Sequence, residues 1–422
     1  MRALHDLLNS ETALLQGRLE SLPFFRALHT GSLPPPAIVS LLRCLSIIHA
    51  VLEGCLCRIS DAPVAALGQH ATPKIPLLEA DLESLGAAQG PSLTTAIRSA
   101  LDYGAEILAS ASDPLNLVGA LYVLEGSQNG GLLLKQAYAR CLGVPPDRLS
   151  YFGCYGNGTA THWDSFGALL DALAIPPAAA TQLVQYAVRG FERLEGIFAA
   201  LYPYRESDLK YHVAAVNFEA GDHAIPQSPI EIELALRTGR AAWERYPYLA
   251  HRFGERGRRF TSSDSCWLVN LARMPVDTAT RSLEWLRAVL ASRGIPTVIL
   301  ESHLRAISAA MTAQCPDHAE LCARYEPFLM GRQAERRALC SVESLPPLIG
   351  EFEQRFRACD GLTIECAAEL IVSAWIDEHC DISGALAAVR DWFLAPDRFS
   401  AHWIANVDEL LARLGPGSPT AC

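Results

Sequence analysis

Lysine is scarce in this 422-residue chain: only Lys74, Lys135 and Lys210 are present. Charged residues make up 19% of the chain and the net charge is −11. That balance provides no basic stripe for a phosphate backbone, and it argues against a general nucleic-acid binder. Uninterrupted apolar runs long enough for a membrane span are also missing. The opening "MRALHDLLNSETALLQ" is polar throughout and has no apolar signal-peptide core. We therefore expect no signal peptide, no membrane span and a cytoplasmic protein. The thirteen cysteines show no zinc-type spacing, and Cys55 and Cys57 alone cannot complete a metal site. No glycine-rich dinucleotide fingerprint follows a strand and no P-loop occurs, so no nucleotide cofactor is expected. Strand-like alternation with period two is absent over any useful length.

What is abundant is helical periodicity. Half of the residues are hydrophobic. In "HDLLNSETALLQGRLESL" and "SLPPPAIVSLLRCLSIIHAVLEGCLCRI" they recur at helical spacing, the second after a proline-rich start. The stretches 91–109, 113–141, 163–173 and 178–201 read the same way. Residues 203–229 are polar and proline-rich, and they break the pattern as a candidate linker. Helical patterns resume over 230–246, 262–272, 276–293, 296–313, 344–359, 361–379, 382–394 and 399–414. The expectation is an all-α chain with a domain over 1–202, a linker over 203–229, a second helical domain over 230–414 and a disordered tail over 415–422.

One helical stretch contradicts its own propensity. "LYVLEGSQNGG", Leu121–Gly131, places Gly126, Gly130 and Gly131 inside a helix. Each glycine there costs about 0.5–1 kcal/mol relative to alanine. Gly126 and Gly130 are one turn apart and share a face, flanked by the polar Ser127 and Asn129. A bare helix face either packs closely on another helix or admits something flat and bulky.

The longer stretch "GALYVLEGSQNGGLLLKQAYARCLG" resembles the distal helix of heme oxygenases, particularly the bacterial biliverdin-forming type. "LESLPFFRALHTGSLPPPAIVSLLRCLSIIHAVLEG" looks like that family's first two helices. "THWDSFGALLDAL" through "FERLEGIFAAL" is similar to its last ones. The resemblance covers about residues 5–202. It implies a heme pocket under a glycine-rich distal helix, with Gly126 and Gly130 close above the macrocycle, Gly131 assisting a bend and Ser127 ordering distal water. It implies oxidation of heme to biliverdin, iron and carbon monoxide, with electrons from an external reductase or ferredoxin.

The chain departs from the family at one position. The proximal histidine of the family lies eight residues before a phenylalanine and four before a glutamate. Counting back from Phe24 and Glu20 gives Gln16, and an amide oxygen is a weak iron ligand beside imidazole. His49, with Glu53 one turn on, and His303 in "VILESHLRAIS" are substitute ligands, each with packing as its plainer role. Ala13 and Asn9 stand where propionate-binding cations would be expected. Arg18, Arg43 and Arg189 are the nearest alternatives. A di-iron site from His49, Glu53, Glu79, Asp81, Glu125, Glu192 and Glu195 is disfavoured, because the glutamate–histidine pairs such sites use are missing. Three readings stand open: a heme oxygenase with an unusual axial ligand, a non-catalytic binder of heme or a bilin, and a scaffold pseudoenzyme.

Residues 230–414 resemble no family. Their most distinctive stretch clusters Arg252, Arg256, Arg258 and Arg259 around Gly254 and Gly257, beside Tyr246, Tyr248, Phe253 and Phe260. It reads either as an exposed basic turn, with Thr261 or Ser262 capping the following helix, or as a clamp for an anionic ligand or a protein partner.

Overall fold

Proline stands in the first turn of several helices, and left-handed Gly31 and Gly143 end two of them. A computed structural model describes residues 3–87, 90–339 and 345–415, and it divides after His223 into two units. The described chain is helical apart from one two-residue antiparallel ladder. The tail expected over 415–422 lies outside the described residues beyond Gly415.

The first unit holds α1 (Leu4–Glu20), α2 (Pro23–Thr30), α3 (Pro35–Leu56), α4 (Ala62–His70), α5 (Ile75–Ser84), α6 (Thr94–Ala109), α7 (Pro114–Leu142), α8 (Thr159–Asp171) and α9 (Pro177–Leu201). By length and composition α3 could cross a membrane, yet most of it is buried in this unit's core. It packs on α6, while α9 packs against α1, α6 and α7. The α7–α9 crossing is close because Gly119 has no side chain: a Cβ there would meet Tyr186 Cβ at 2.6 Å. The helix α7 is capped by Asp113, which accepts the Leu115 N–H at 3.0 Å, and it ends at the left-handed Gly143. Between those caps it runs unbroken through all three glycines.

The expected linker is only partly a linker. Residues 203–223 belong to the first unit. Leu209–Lys210 pairs with Ser92–Leu93, and Thr94 donates to the Asp208 carbonyl at 2.9 Å. Val213, Ala214 and Asn217 are buried there. The polar composition serves these local hydrogen bonds, which a helical stripe pattern does not register.

The second unit holds α10 (Pro229–Arg245), α11 (Tyr248–Leu271), α12 (Val276–Ser292), α13 (Thr297–Gln314), α14 (Glu326–Leu339), α15 (Leu345–Phe356), α16 (Ala367–His379), α17 (Ala385–Phe393) and α18 (Ala401–Leu414). Its core includes Tyr248, Trp375, Trp392, Phe393 and Trp403. The basic stretch holds a kink between two helical runs rather than an extended turn: the chain breaks at Gly254 (φ 55°, ψ −158°), a backbone that glycine tolerates, and Arg256, Arg258 and Arg259 lie on the helical run beyond it. Neither Thr261 nor Ser262 caps a helix. Thr261 Oγ1 accepts the Trp243 indole N–H at 2.9 Å, and Ser262 donates back to the Arg258 carbonyl at 3.1 Å. The arginines diverge: Arg252 donates to Tyr248 and Ala388, Arg256 stacks over Phe260, and Arg258 over Trp243.

Candidate functional site

The helices α1 and α7 face each other across a cavity of about 1120 Å³, part of it open to solvent. Gln16 and Glu20 line it from α1. Gly126, Ser127, Gly130 and Gly131 line it from α7. Six residues singled out on two separate segments thus meet in one cavity. Leu41, Leu45, Phe191, Leu194 and Phe198 supply apolar wall from α3 and α9.

The three glycines do different things. A Cβ on Gly130 would meet nothing within 4 Å, so this position opens onto the cavity. A Cβ on Gly126 would lie 3.1 Å from the Trp163 ring, and one on Gly131 would lie 3.5 Å from Phe152. Gly126 therefore makes room for an indole of α8, and Gly131 for a ring of the 143–158 connection. Of the three, Gly130 is the bare patch. Ser127 turns its hydroxyl back to the Leu124 carbonyl at 2.6 Å while lining the space.

On the α1 wall, the Gln16 amide donates to Glu20 Oε1 at 3.0 Å, and both residues are solvent-exposed. Tyr122 reaches across from α7, donating to Asn9 Oδ1 at 2.8 Å. Among the described residues, neither histidine, cysteine nor methionine lines the cavity, and neither does lysine or arginine. Arg18 pairs with Glu195. Arg43 is buried elsewhere, donating to Pro91 O at 2.8 Å and Ser92 Oγ at 2.6 Å. Arg189 does not line the cavity either.

The substitute histidines are accounted for. His49 is buried, with Nε2 hydrogen-bonded to the Tyr151 hydroxyl at 3.1 Å and Nδ1 3.6 Å from Glu53. Burial, and next the charge on Lys74, hold its pKa down at about 3, so it stays neutral. It lines a different cavity, with Glu53, Lys74 and Glu125. His303 lies in the second unit, 3.2 Å from Ser265 Oγ, with its pKa lowered to about 4 by burial. No group of three or more metal-ligating side chains occurs among the described residues.

Sequence reasoning missed the polar brace beside the glycines. Glu125, one residue before Gly126, is fully buried and receives Lys74 Nζ at 2.6 Å, the Tyr155 hydroxyl at 2.8 Å and His162 Nε2 at 3.1 Å. Burial alone would raise its pKa. The hydrogen bonds from His162, Lys74 and Tyr155, with the Lys74 charge, outweigh that and hold it near about 2. Tyr155 stacks on His162 at 3.6 Å between ring centroids, and His162 on His70 at 4.3 Å. This cluster ties α7 to α4, α8 and the 72–74 segment. The only sequence signal is a carboxylate, Glu125, directly before Gly126 in a helical apolar run, in a chain with only three lysines.

The donors do not fit an iron-ligated heme: there is no imidazole, thiolate or thioether to reach the metal and no cation to meet propionates. The lining is otherwise largely apolar, with aromatic and aliphatic walls and an amide–carboxylate pair on one side.

Comparison with known proteins agrees with this architecture. Residues 2–200 match the family model described as heme oxygenase, and no family model matches the C-terminal half. Over those residues, which make up most of the first unit, the chain is similar to the heme oxygenase family. Among solved structures, the heme oxygenase of Leptospira interrogans is similar at 21% identity, covering 47% of this chain and 98% of its own, with a TM-score of 0.42. Heme oxygenase-1 from the cyanobacterium Synechocystis, solved in complex with heme, is similar at 17% identity, covering 47% of this chain and 92% of its own, with a TM-score of 0.42. No curated protein matches.

Proposed function

We propose that the N-terminal unit binds heme or a related tetrapyrrole between α1 and α7 and holds it without a protein ligand to iron. The observation that carries this reading is the cavity's donor set: Gln16 bonded to Glu20, and no imidazole, sulfur or cation on the lining. Apolar walls from α3 and α9 take the macrocycle faces and exclude water. The Glu20 carboxylate and the Gln16 amide oxygen are acceptors for pyrrole N–H groups, which a metal-free porphyrin or a bilin presents and an iron-filled ring does not. Bound heme would supply redox-active iron, and turnover to biliverdin with an external reductase or ferredoxin is the alternative reading. The placement of Ser127 and Gly130 on the cavity wall is what favours that alternative.

The test is a parallel titration of the full chain with hemin, protoporphyrin IX and biliverdin. The expected result is binding of all three, with protoporphyrin within about tenfold of hemin because the metal adds little. Binding of hemin alone, or of none, would overturn the proposal.

A further inference from the structure

The second unit holds a cavity of its own, about 1200 Å³ with the part open to solvent, bounded by α10, α11, α12 and α13. Its walls are aromatic and aliphatic: Trp243, Phe253, Phe260, Leu286, Leu290 and Ile299. The Trp243 ring can approach α11 because Gly257 carries no side chain; a Cβ there would sit 3.3 Å from the indole.

One carboxylate faces this apolar space. Asp264 lines the cavity from α11 and has no hydrogen-bond or ion-pair partner among the described residues. Of the other polar groups on the lining, Arg293 also faces the space, and the remaining three are engaged. Thr261 accepts from Trp243, His303 is bonded to Ser265, and Arg256 lies over the Phe260 ring at 5.3 Å. A half-buried carboxylate set against apolar walls is better met by a cation than left to water alone. No described side chain donates to Asp264, which is half-buried and leaves its carboxylate open to a cation that enters the cavity.

We infer that this cavity binds a small organic cation: a primary amine or amidine on an aromatic or alicyclic body. The nitrogen donates to Asp264, and the body lies against Trp243, Phe253 and Phe260. The inference is independent of the tetrapyrrole reading, since every residue it uses belongs to the second unit.

Protonation offers a second handle. Burial pushes the Asp264 carboxyl up to about 7. The charged or titratable groups facing the cavity are Arg256 on its own helix, Arg293 after α12 and His303 on α13. Preference for a cation should therefore fade as pH falls through about 7.

The experiment compares naphthylmethylamine with naphthalenemethanol, equal in shape but differing in charge, by calorimetry on the full chain at about pH 8. A charge-assisted hydrogen bond predicts that the amine binds about tenfold to a hundredfold more tightly. Asp264→Asn, nearly isosteric, should erase that difference while leaving alcohol binding in place. Equal affinity for the two probes, binding of neither, or an amine preference that survives in Asp264→Asn would overturn the inference. If Asp264→Asn does not fold by circular dichroism, the comparison in the native chain still decides.

Discussion

Replacing Lys74 by methionine removes one of three donors to a buried carboxylate. Glu125 keeps Tyr155 and His162, so its charge is stranded only in part. Breaking a buried pair from one side costs about 3–5 kcal/mol, and the two surviving donors place this case near the lower end, about 3 kcal/mol. The proton linkage of Glu125 gives a similar figure. A carboxyl held at about 2 rather than its ordinary 4.5 is worth about 3 kcal/mol to the folded state. The sign follows from the depressed value. The contribution is complete above the unfolded value and is lost as pH falls through about 2. Hydrogen–deuterium exchange of α7 amides reads the effect without requiring both units to unfold together. Lys74→Met should raise exchange in Pro114–Leu142 about 100-fold at neutral pH. The double substitution Lys74→Met with Glu125→Gln should recover part of that loss, because the stranded charge is gone. Exchange within about twofold of the native chain, or a double variant worse than the sum of the singles, would refute the argument that this pair braces the glycine face.

Other expectations follow from the same contacts. Gly130→Leu should fill open space and abolish porphyrin uptake with little change in thermal stability. Gly119→Leu should drive into Tyr186 and cost about 3 kcal/mol or more, measured as a fall in Tm of the first unit. His49, neutral down to about 3 when folded, binds its proton more readily in the unfolded chain. Stability of the first unit should fall as pH drops from about 6.5 toward about 3, and His49→Phe should flatten that slope in acid denaturation. Asp264 has the opposite sign. Its raised value means that stability declines as pH climbs from about 4 to about 7. Asp264→Asn should therefore stabilise the second unit above neutral pH. The full shift bounds the gain at about 4 kcal/mol, and partial exposure halves it to about 2.

The legible part of this molecule was periodic or positional. Helical spacing located the long helices of both units, and the three glycines of α7 marked a wall that does line a cavity. The residues chosen on α1 and α7, Gln16 and Glu20 with Gly126 to Gly131, share that cavity because resemblance carried their relative placement. What stayed hidden depended on contacts between distant segments. Lys74 and Glu125 are 51 positions apart and no local pattern joins them. The helices α4 and α5 are short and carry little stripe, so they were passed over. Residues 203–223 looked like a linker because their order comes from a two-residue ladder and side-chain hydrogen bonds. In the basic stretch the sequence suggested a turn between two helices, and the structure narrows it to a kink at Gly254 with the other arginines on helix. Trp163 over Gly126 could not be foreseen, because the bare face of a glycine does not say which partner uses it.

The central claim is that the first unit takes up a tetrapyrrole without an axial ligand from the protein. The most direct measurement is the visible spectrum of the hemin-loaded native chain beside that of Gln16→His, before and after ascorbate. The account predicts a native complex with no imidazole-ligated signature and no biliverdin band, and an imidazole-type Soret band appearing in Gln16→His. A native chain that already shows imidazole ligation, or that converts its hemin to biliverdin, would contradict it.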